Sequence, residues 1–374
     1  MKILQVGLGN NPGGMEAFVM NYFRELAKQG ITFDFVCMYD KIAYEEEIRR
    51  LGGRVFYVPN VKKDYFGYVK AFQGLLQREQ YDIIHVNMLS AANIEPLRLA
   101  KKVGSGKVIA HSHNASAPGT LRKILDRLNR PKLNRYADQK FACSETAGRW
   151  LFGRGVYEAG NVTLVSNAID TKKYSFSLEN REEMRDILGI GNGILVGHVG
   201  RFQIQKNHEA IARIFYEVQK KQPEARLCLI GDGELKEQIH EKFREYGILD
   251  KVIFAGVCPD VERYLSAMDV FLFPSLFEGL PFTLLEAQAN GLPCVVSDRI
   301  TEEAVITEKI ISRLSLDRSD EEWASAVIVA AKKGREDKEA AVRAIEMAHF
   351  DIHQEAGRLL ELYEKQGEKH GKQN

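Results

Sequence analysis

Two glutamates in the segment SLFEGLPFTLLEAQANGLPCVVSD (275–298) have the type and spacing of a nucleotide-binding site. Glu278 lies in a predicted loop after an apolar run, and Glu286 lies inside the predicted helix that follows. The first backbone N–H groups of that helix, near Phe282 and Thr283, are suited to bind phosphate. A carboxylate such as Glu286 suits the paired hydroxyls of a ribose. Either glutamate alone would fit an ordinary turn or surface position, and the combination indicates a site.

A second group of residues lies in the segment GHVGRFQIQKNHEA (197–210). Gly200 allows a tight turn after a predicted strand, and Arg201 and Lys206 follow it before a predicted helix. Two cations in such a turn can clamp a diphosphate, with arginine as a fork and lysine as a point charge. Their charge can also stabilise a departing diphosphate, which is a role often given to a metal ion. A solvated basic turn is the alternative interpretation.

The sequence predicts neither a metal nor a cofactor. It has no D-x-D loop, no HExxH motif and no Cys/His pair with ligand spacing. The run GLGNNPGG (7–14) lacks the G-x-G-x-x-G register of a dinucleotide site, because its third position in that register is Pro12. We therefore expect no nicotinamide or flavin. The cysteines are scattered and are expected to be free thiols in a reducing compartment: Cys37, Cys143, Cys228, Cys258 and Cys294.

Short apolar runs rich in valine and isoleucine alternate with helical patterns along the whole chain. The runs are apolar on both faces, which is typical of parallel strands covered by helices on each side. The repetition predicts an α/β protein with two doubly wound parallel sheets. The predicted strands are 2–7, 33–38, 54–59, 82–87, 107–112, 140–144, 162–166, 194–199, 225–231, 251–256, 269–274 and 293–298.

The chain of 374 residues is long enough for two such domains. A polar, turn-rich stretch places the boundary near 172, so we predict Rossmann-like domains over 1–172 and 173–350. A C-terminal helix over 351–374 is predicted to pack back on the first domain and to end in a frayed, charged tail. Ligands of open α/β sheets bind at the carboxyl ends of the strands, so we expect the two domains to face each other across the binding cleft.

These residues resemble the retaining glycosyltransferases of the two-domain GT-B class, usually called family four. Two glutamates with seven residues between them are a signature of that family, and Glu278 and Glu286 match it. The upstream G-R-x-x-x-x-K pattern matches Gly200, Arg201 and Lys206. The similarity is greatest to the bacterial branch that assembles capsular or exopolysaccharide repeat units, which carries an HSHN segment. It continues through 13–26, 229–239 and 252–275.

The resemblance implies a role for each matching residue. Arg201 and Lys206 would hold the donor diphosphate, Glu286 the ribose and Glu278 the transferred sugar. The turn after FAG would meet the nucleobase, and two glycines of the first domain would bring its backbone close to the donor. The residues predicted to bind the donor are Gly13, Gly14, Arg201, Lys206, Val257, Cys258, Glu278, Gly279, Leu280, Phe282, Thr283 and Glu286.

A histidine near the reacting sugar carbon is also implied by the resemblance. His113 aligns best with it, and His111 is the alternative because the register within HSHN (111–114) is ambiguous by two residues. No carboxylate of the family is clearly placed as a covalent nucleophile, so the favoured reaction is front-face attack with the donor phosphate accepting the proton. The predicted catalytic residues are His113, Glu278, Arg201 and Lys206.

The segment LRKILDRLNRPKLNRY (121–136) combines an apolar stripe with six basic residues and one acid. Residues 1–172 carry a net charge of +9 and residues 173–374 one of −8. The segment therefore suits an anionic membrane surface, and a packed helix with a solvated basic face is the alternative. Nucleic acid is not expected, because no aromatic platform accompanies the charge. The predicted membrane or acceptor contacts are Arg122, Lys123, Arg127 and Arg130.

Together these features predict a retaining glycosyltransferase that moves a sugar from a nucleotide-diphosphate donor, expected to be a UDP-sugar. The expected acceptor is a glycan or a lipid-linked saccharide in capsular or exopolysaccharide synthesis. Neither a signal peptide nor an apolar run of ~18 residues is present, so we expect a cytoplasmic enzyme at the inner face of the plasma membrane. The alternatives are a nucleotide-sugar epimerase or hydrolase of the same fold, and a non-catalytic partner subunit.

Overall fold

The computed structural model describes residues 1–104, 106–114 and 119–365. They form two compact units. Unit 1 comprises Met1–Ala168 and the C-terminal segment from Ile352, and unit 2 comprises Ile169–Asp351. Unit 1 contains a seven-stranded sheet and unit 2 a six-stranded sheet. Every strand pair in both sheets is parallel, which confirms the predicted α/β fold class.

The sheet of unit 1 has the order β3-β2-β1-β4-β5-β6-β7. The direction of the strand order reverses between β1 and β4, and in open α/β sheets such a switch point opens a crevice for ligands. Its inner strands are buried along nearly their whole length, as their uniform apolar character predicts. The strands are β1 Lys2–Val6, β2 Thr32–Cys37, β3 Arg54–Tyr57, β4 Ile83–Met88, β5 Lys107–Ser112, β6 Gln139–Ala142 and β7 Thr163–Leu164.

Besides the C-terminal helix, seven helices in the described part of unit 1 connect or flank these strands. One face of the sheet is covered by α3, α4, the C-terminal half of α5 and α6, which share a continuous apolar core with alternate residues of the inner strands. The helices are α1 Gly14–Ala27, α2 Glu45–Arg50, α3 Tyr65–Glu79, α4 Glu95–Val103, α5 Thr120–Tyr136, α6 Glu145–Phe152 and α7 Arg154–Glu158.

The sheet of unit 2 has the order β10-β9-β8-β11-β12-β13, with its switch point between β8 and β11. The edge strand β13 was not among the predicted strands. Its sequence ISRL is half exposed, so it lacks the apolar run that identifies the inner strands. The strands are β8 Leu195–Val199, β9 Arg226–Ile230, β10 Val252–Gly256, β11 Val270–Phe273, β12 Cys294–Ser297 and β13 Ile311–Leu314.

The helices of unit 2 are α8 Thr171–Tyr174, α9 Leu178–Ile187, α10 His208–Lys221, α11 Lys236–Glu245, α12 Val261–Ala267, α13 Phe282–Ala289, α14 Asp320–Lys333 and α15 Lys338–Met347. The chain then returns to unit 1 with α16, Ile352–Glu364, which packs against α1 and buries Leu359 and Tyr363. The predicted charged tail at 366–374 lies outside the described residues. Within the described ranges, no helix combines the length and the apolar character needed to cross a bilayer.

Candidate active site

The loops after β8 and β11 flank the switch point of unit 2 and bring Lys206 and Glu278 together. Lys206 ends a 3-10 turn, Ile204–Lys206, and its Nζ lies 2.7 Å from Oε1 of Glu278. Gln205 donates from Nε2 to Oε2 of the same carboxylate at 3.1 Å. Both partners of the ion pair are largely buried, whereas Arg201 at the start of the turn is exposed. The two sequence segments thus form one charged site.

The position of Lys206 depends on the glycine before Arg201. A Cβ at Gly200 would lie 2.8 Å from Nε2 of His198 and 3.1 Å from Cδ of Lys206, so a larger residue would displace the lysine. Burial, with a smaller contribution from Lys206, lowers the pKa of neighbouring His208 to about 4. Burial also lowers the pKa of His198. Both buried histidines are therefore neutral at pH 7, and the Lys206 ammonium supplies the positive charge at this point of the site.

The N-terminus of α13 lies directly after the Glu278 loop and has no side-chain cap. As in any helix, its first N–H groups have no intrahelical partner. Oγ1 of Thr283, in the first turn, is buried and has no hydrogen-bond partner among the residues that the structure describes. Gly279 is exposed, whereas Leu280 and Phe282 are buried and anchor the turn. Backbone donors and an unsatisfied hydroxyl next to an ammonium form a site suited to phosphate.

Glu286 lies one turn further along α13 and is partly buried. Burial raises the pKa of its carboxyl group to about 7, although a hydrogen bond with Tyr174 and the charge of Lys173 lower it. This carboxyl group is about half ionised at neutral pH. A ligand that donates hydrogen bonds to it would stabilise its ionised form. A ribose diol is such a ligand.

The predicted nucleobase turn follows β10 in the same sheet. Val257 is exposed, and the thiol of Cys258 lies 3.3 Å from the carbonyl oxygen of Ala255. Gly231, after β9, donates its N–H to the carbonyl of Gly256 at 2.7 Å. This hydrogen bond joins the loop after β9 to the end of β10, at the carboxyl ends of the strands, where Lys206 also lies.

In unit 1, Gly13 ends the loop between β1 and α1 and Gly14 begins α1, and both glycines are exposed. Buried Glu16 organises this loop by accepting the N–H of Gly9 at 2.9 Å. A Cβ at Gly13 would lie 2.8 Å from Oε2 of Glu16, so the carboxylate packs against bare glycine backbone. This exposed turn fits the predicted close approach to a ligand.

The two candidate histidines occupy different environments. His111 lies within β5 and is fully buried, whereas His113 follows the strand and is partly exposed. Their rings stack with centroids 4.1 Å apart, and Phe18 of α1 packs against both. Burial, with His85 contributing, lowers the pKa of His113 to about 3. His113 is thus the neutral, accessible ring of the pair, and its catalytic role stays a prediction.

The tautomer of His113 follows from its partner, Asn87. The Nδ2 group of Asn87 donates to the carbonyl of Val6 at 3.3 Å and to Oε1 of Gln5 at 2.9 Å. Because both partners are acceptors, Oδ1 of Asn87 is the atom that faces Nε2 of His113, at 2.8 Å. Nε2 must therefore carry the hydrogen. Nδ1 then carries the lone pair and is the acceptor atom of the ring.

The same face of the sheet continues this hydrogen-bond network to α16. Gln5 also hydrogen-bonds the hydroxyl of Tyr363, which lies 2.7 Å from Nδ1 of His85. Nε2 of His85 lies 3.0 Å from Nδ1 of His111. With the Gln5 carbonyl accepting from Asn87, its amide donates to Tyr363, which in turn donates to His85. The C-terminal helix therefore takes part in the arrangement beneath His113.

The chain is similar to known proteins along nearly its whole length. The protein-family model described as "Glycosyltransferase Family 4" matches residues 12–173. The model described as "Glycosyl transferases group 1" matches residues 180–347. The protein named glycosyltransferase EpsF of Bacillus subtilis (strain 168) is 34% identical over 376 residues, which cover 98% of this chain and 97% of EpsF. The chain belongs to glycosyltransferase family 4. It is an enzyme that transfers a sugar.

Further similarities agree with this membership. The Escherichia coli UDP-Gal:alpha-D-GlcNAc-diphosphoundecaprenol alpha-1,3-galactosyltransferase is 26% identical over 260 residues, 66% of each chain. The crystal structure of Anabaena Alr3699/HepE in complex with UDP aligns with a TM-score of 0.79 at 20% identity, over 97% of this chain and 99% of that one. The HepE complex with UDP-glucose aligns with a TM-score of 0.77 at 19% identity, over 97% and 100%. The structural similarity shows that the transferase has the GT-B fold.

Several residues of the transferase's candidate site were not among those predicted from sequence. Gln205 lies inside the G-R-x-x-x-x-K segment, and Glu16 follows the glycine pair, so position next to a motif is the signal that would have found them. Asn87 lies one residue before the end of β4, at the switch point, which is also a recognisable position. Tyr363 carries no local signal, because it reaches the site from a helix 278 residues away from His85.

The sequence left two interpretations of the amphipathic helix α5 open, a membrane-binding surface and a packed helix with a solvated basic face. The structure exposes much of its N-terminal half. Ile124 and Leu128 are 52% and 64% exposed, so these two residues of the stripe are not packed. Arg122, Lys123 and Arg127 are exposed as well. Arg130 differs from the prediction, since its guanidinium donates to the carbonyls of Trp150 and Leu151. It serves the C-terminus of α6, whose carbonyls attract a cation.

Among the described residues, no group of three or more His, Cys, Asp and Glu side chains is placed to hold a metal ion. The cysteines of the transferase are all free thiols, and Cys258 is the one that is only partly buried. Transfer without a metal stays a prediction, which addition of a chelator tests directly.

Proposed function

We propose that this glycosyltransferase takes its sugar from a UDP-sugar bound at the switch point of unit 2 and transfers it with retention of configuration. The observation that carries the proposal is the buried Lys206–Glu278 ion pair beside the uncapped N-terminus of α13. Thr283 and Glu286 extend that site along one helix, at positions suited to phosphate and ribose. The solved HepE structures hold UDP and UDP-glucose, and the galactosyltransferase relative is named for a UDP-sugar donor.

In the proposed reaction the bond between the anomeric carbon and the diphosphate oxygen breaks, and UDP leaves with the electron pair. Lys206 and Arg201 stabilise the charge that develops on the departing diphosphate. The acceptor oxygen bonds to the same face of the sugar, and its proton passes to the departing phosphate oxygen. Glu278 contacts the transferred sugar, and His113 accepts a hydrogen bond from a sugar hydroxyl at Nδ1.

We propose a glycan or lipid-linked saccharide as the acceptor, at the surface of an anionic membrane. The exposed patch on α5, defined here as Arg122, Lys123, Ile124, Arg127 and Leu128, combines cations with bare apolar side chains. Each cation close to such a membrane contributes about 1 kcal/mol. One relative is named for a diphosphoundecaprenol acceptor, and another, 36% identical over 100 residues, is named a Vi polysaccharide biosynthesis protein.

The membrane proposal is tested by flotation with vesicles of phosphatidylcholine alone and with 30% phosphatidylglycerol. The wild type is expected to float with the anionic vesicles alone, and Arg122→Glu/Arg127→Glu to stay at the bottom of the gradient. Lys70→Glu, an exposed lysine on α3 outside the patch, is the matched control and should float like the wild type. Equal flotation of all three proteins would contradict a role for α5.

The transfer reaction is tested by incubating the enzyme with UDP-glucose, UDP-galactose and UDP-N-acetylglucosamine, with and without lipid-diphosphate saccharides. We expect UDP release that depends on the acceptor, and an α-linked product by NMR from these α-linked donors. Release of free sugar, or an isomerised donor without any acceptor, would instead identify a hydrolase or an epimerase. UDP binding without turnover on any acceptor would favour a non-catalytic partner subunit.

A further inference from the structure

Unit 1 contains a pocket of about 770 Å³ away from both candidate histidines. It lies where β2 and β3 end and reaches the glycine loop through Asn10. Tyr39 and Tyr57 line it, and each is 45% exposed. Exposed tyrosine rings beside asparagine side chains offer apolar faces together with hydrogen-bonding groups, which is the combination that a pyranose ring requires.

The walls of this pocket are fixed by local hydrogen bonds. The thiol sulfur of Cys37 accepts the N–H of Tyr39 at 3.4 Å, and the Tyr57 hydroxyl donates to Oε2 of Glu45 at 2.5 Å. Asn60 holds the opposite turn, since its Oδ1 accepts the N–H of Lys62 at 2.9 Å. A pocket held in this way loses little entropy when it binds a ligand. The phenol of Tyr57 is committed to Glu45, so its ring face is what the pocket offers.

The charge of the pocket is positive. Lys41 and Lys63 both line it, and within the described part of the chain no ion pair involves either lysine. Asp40 is the one carboxylate in the lining. The carboxylate of Glu45, which bonds Tyr57, is balanced by its ion pair with Arg49 at 2.8 Å. Two ammonium groups against the one remaining carboxylate favour a ligand that carries a negative charge.

The pocket is too far from His113 to hold the reacting sugar. In the order β3-β2-β1-β4-β5, the end of β2 is three strand spacings from the end of β5, where His113 lies. Neighbouring strands lie about 4.8 Å apart, so the separation is roughly 14 Å. A ligand that reaches both places must be longer than one sugar unit.

We propose that this pocket is a remote acceptor subsite, which binds an acidic sugar unit of an oligosaccharide whose free end is glycosylated near His113. The inference rests on the proposed transferase function and adds the acceptor's length and charge. Tyr39 and Tyr57 stack on the sugar, Asn10 and Asn60 hydrogen-bond its hydroxyls, and Lys41 and Lys63 bind the anionic group. That group is a carboxylate or a phosphate, since both suit a pair of ammonium ions.

The test is calorimetric binding of defined oligosaccharides to the full-length protein. A hyaluronan tetrasaccharide carries carboxylates, mannopentaose 6-phosphate carries a phosphate, and chitotetraose and maltopentaose are neutral controls. Glucuronic acid tests whether a single acidic sugar suffices. We expect at least one acidic oligosaccharide to bind at least tenfold tighter than the neutral ones and than glucuronic acid, and the acid that binds identifies the group.

The variant Lys41→Ala/Lys63→Ala should remove the preference for acidic ligands, and Tyr39→Ala should weaken all the oligosaccharides. Lys62→Ala, an exposed lysine next to the pocket but not in its lining, should bind like the wild type. UDP binding should be unchanged in every variant. Equal binding of acidic and neutral chains, no binding of any chain, or an unaffected double variant would overturn the subsite. Failure of the wild type to bind UDP would instead count against the proposed function.

Discussion

Lys206 and Glu278 are 72 residues apart in the chain, and their side chains meet at 2.7 Å. The sequence predicted each residue separately, as a diphosphate ligand and as a sugar ligand. It did not predict the ion pair, because the pair depends on two loops that meet only when β8 and β11 become neighbours. The pair keeps the ammonium in place before a ligand arrives, and preorganised charge of this kind is the largest single contribution in many enzymes.

The tautomer of His113 is the first prediction at this scale. The Asn87 carbonyl requires a hydrogen on Nε2, and the lowered pKa keeps the ring neutral. We expect ¹⁵N NMR of histidine-labelled protein to show a neutral ring protonated at Nε2 from pH 5 to 8, with the signal assigned by comparison with His113→Gln.

Asn87→Asp provides the complementary variant. A carboxylate 2.8 Å from Nε2 favours the imidazolium, so the pKa of His113 should rise and the ring should titrate within the accessible range. A wild-type ring protonated at Nδ1, or a pKa that Asn87→Asp leaves unchanged, would show that Asn87 does not set the state of His113.

The raised pKa of Glu286 predicts that the stability of the protein depends on pH. The pKa is raised to about 7, so the folded protein binds the proton more tightly than the unfolded chain does. The resulting stabilisation is complete below the unfolded pKa and is lost as pH rises through 7. Glu286→Gln should therefore be more stable than the wild type at pH 8.5, by up to about 3 kcal/mol, and nearly equal to it at pH 4.

Thermal unfolding by calorimetry at the two pH values checks this prediction. Glu339→Gln, an exposed glutamate of unit 2, controls for the loss of one negative charge. A Glu286→Gln variant that is less stable than the wild type at pH 8.5 would mean that the carboxylate is well solvated or well paired, contrary to the cause assigned here.

At the scale of elements, apolar runs predicted the inner strands well, but they did not predict the edge strand β13. Twelve predicted strands are present, and β13 was missed because its ISRL sequence is half exposed. The helix α5 was predicted as amphipathic, but the sequence did not show which part is packed. Its buried apolar residue is Leu133, near the C-terminus, whereas Ile124 and Leu128 remain exposed. Tertiary packing decides which apolar residues of the helix are buried, and helical periodicity alone does not predict it.

The turn after β1 gives a prediction for one element. A Cβ at Gly7 would lie 2.2 Å from the carbonyl oxygen of Asn87, and its φ is +117°. Gly7→Ala should therefore push β1 and β4 apart and destabilise unit 1 by roughly 2–5 kcal/mol. Gly30→Ala is the matched control, with φ +75° and no atom within 4 Å, and should cost about 1 kcal/mol.

Denaturant unfolding of the two variants compares these costs, and the NMR signal of His113 reports on Asn87 at the same time. We expect Gly7→Ala to shift that signal and Gly30→Ala to leave it in place. Equal destabilisation by the two substitutions would show that the close approach of Gly7 to β4 is not needed for the fold.

At the scale of the whole molecule, each sheet has one switch point. The glycine loop, Lys206 and Glu278 lie at these two places, whereas the predicted nucleobase turn follows the edge strand β10. Unit 1 carries the glycine loop and His113 at its carboxyl edge, and unit 2 carries Lys206 and Glu278 at the corresponding edge. A sequence with alternating strands and helices predicts these edges well, because parallel sheets with right-handed crossovers leave few topologies. What it could not provide is the contribution of α16, since Tyr363 enters unit 1 from the far end of the chain.

The central claim is that a nucleoside diphosphate binds at the Lys206–Glu278 site, and calorimetric titration tests it most directly. UDP, GDP, ADP and NAD are titrated in EDTA into the wild type, Lys206→Ala and Lys221→Ala, an exposed lysine of α10. We expect UDP to bind the wild type and Lys221→Ala equally. Lys206→Ala should lose roughly 1.5–3 kcal/mol of binding free energy, because a charged hydrogen bond is removed and Glu278 then repels the phosphate. Binding of NAD in place of UDP, or UDP binding that is abolished by EDTA or insensitive to Lys206→Ala, would contradict the account.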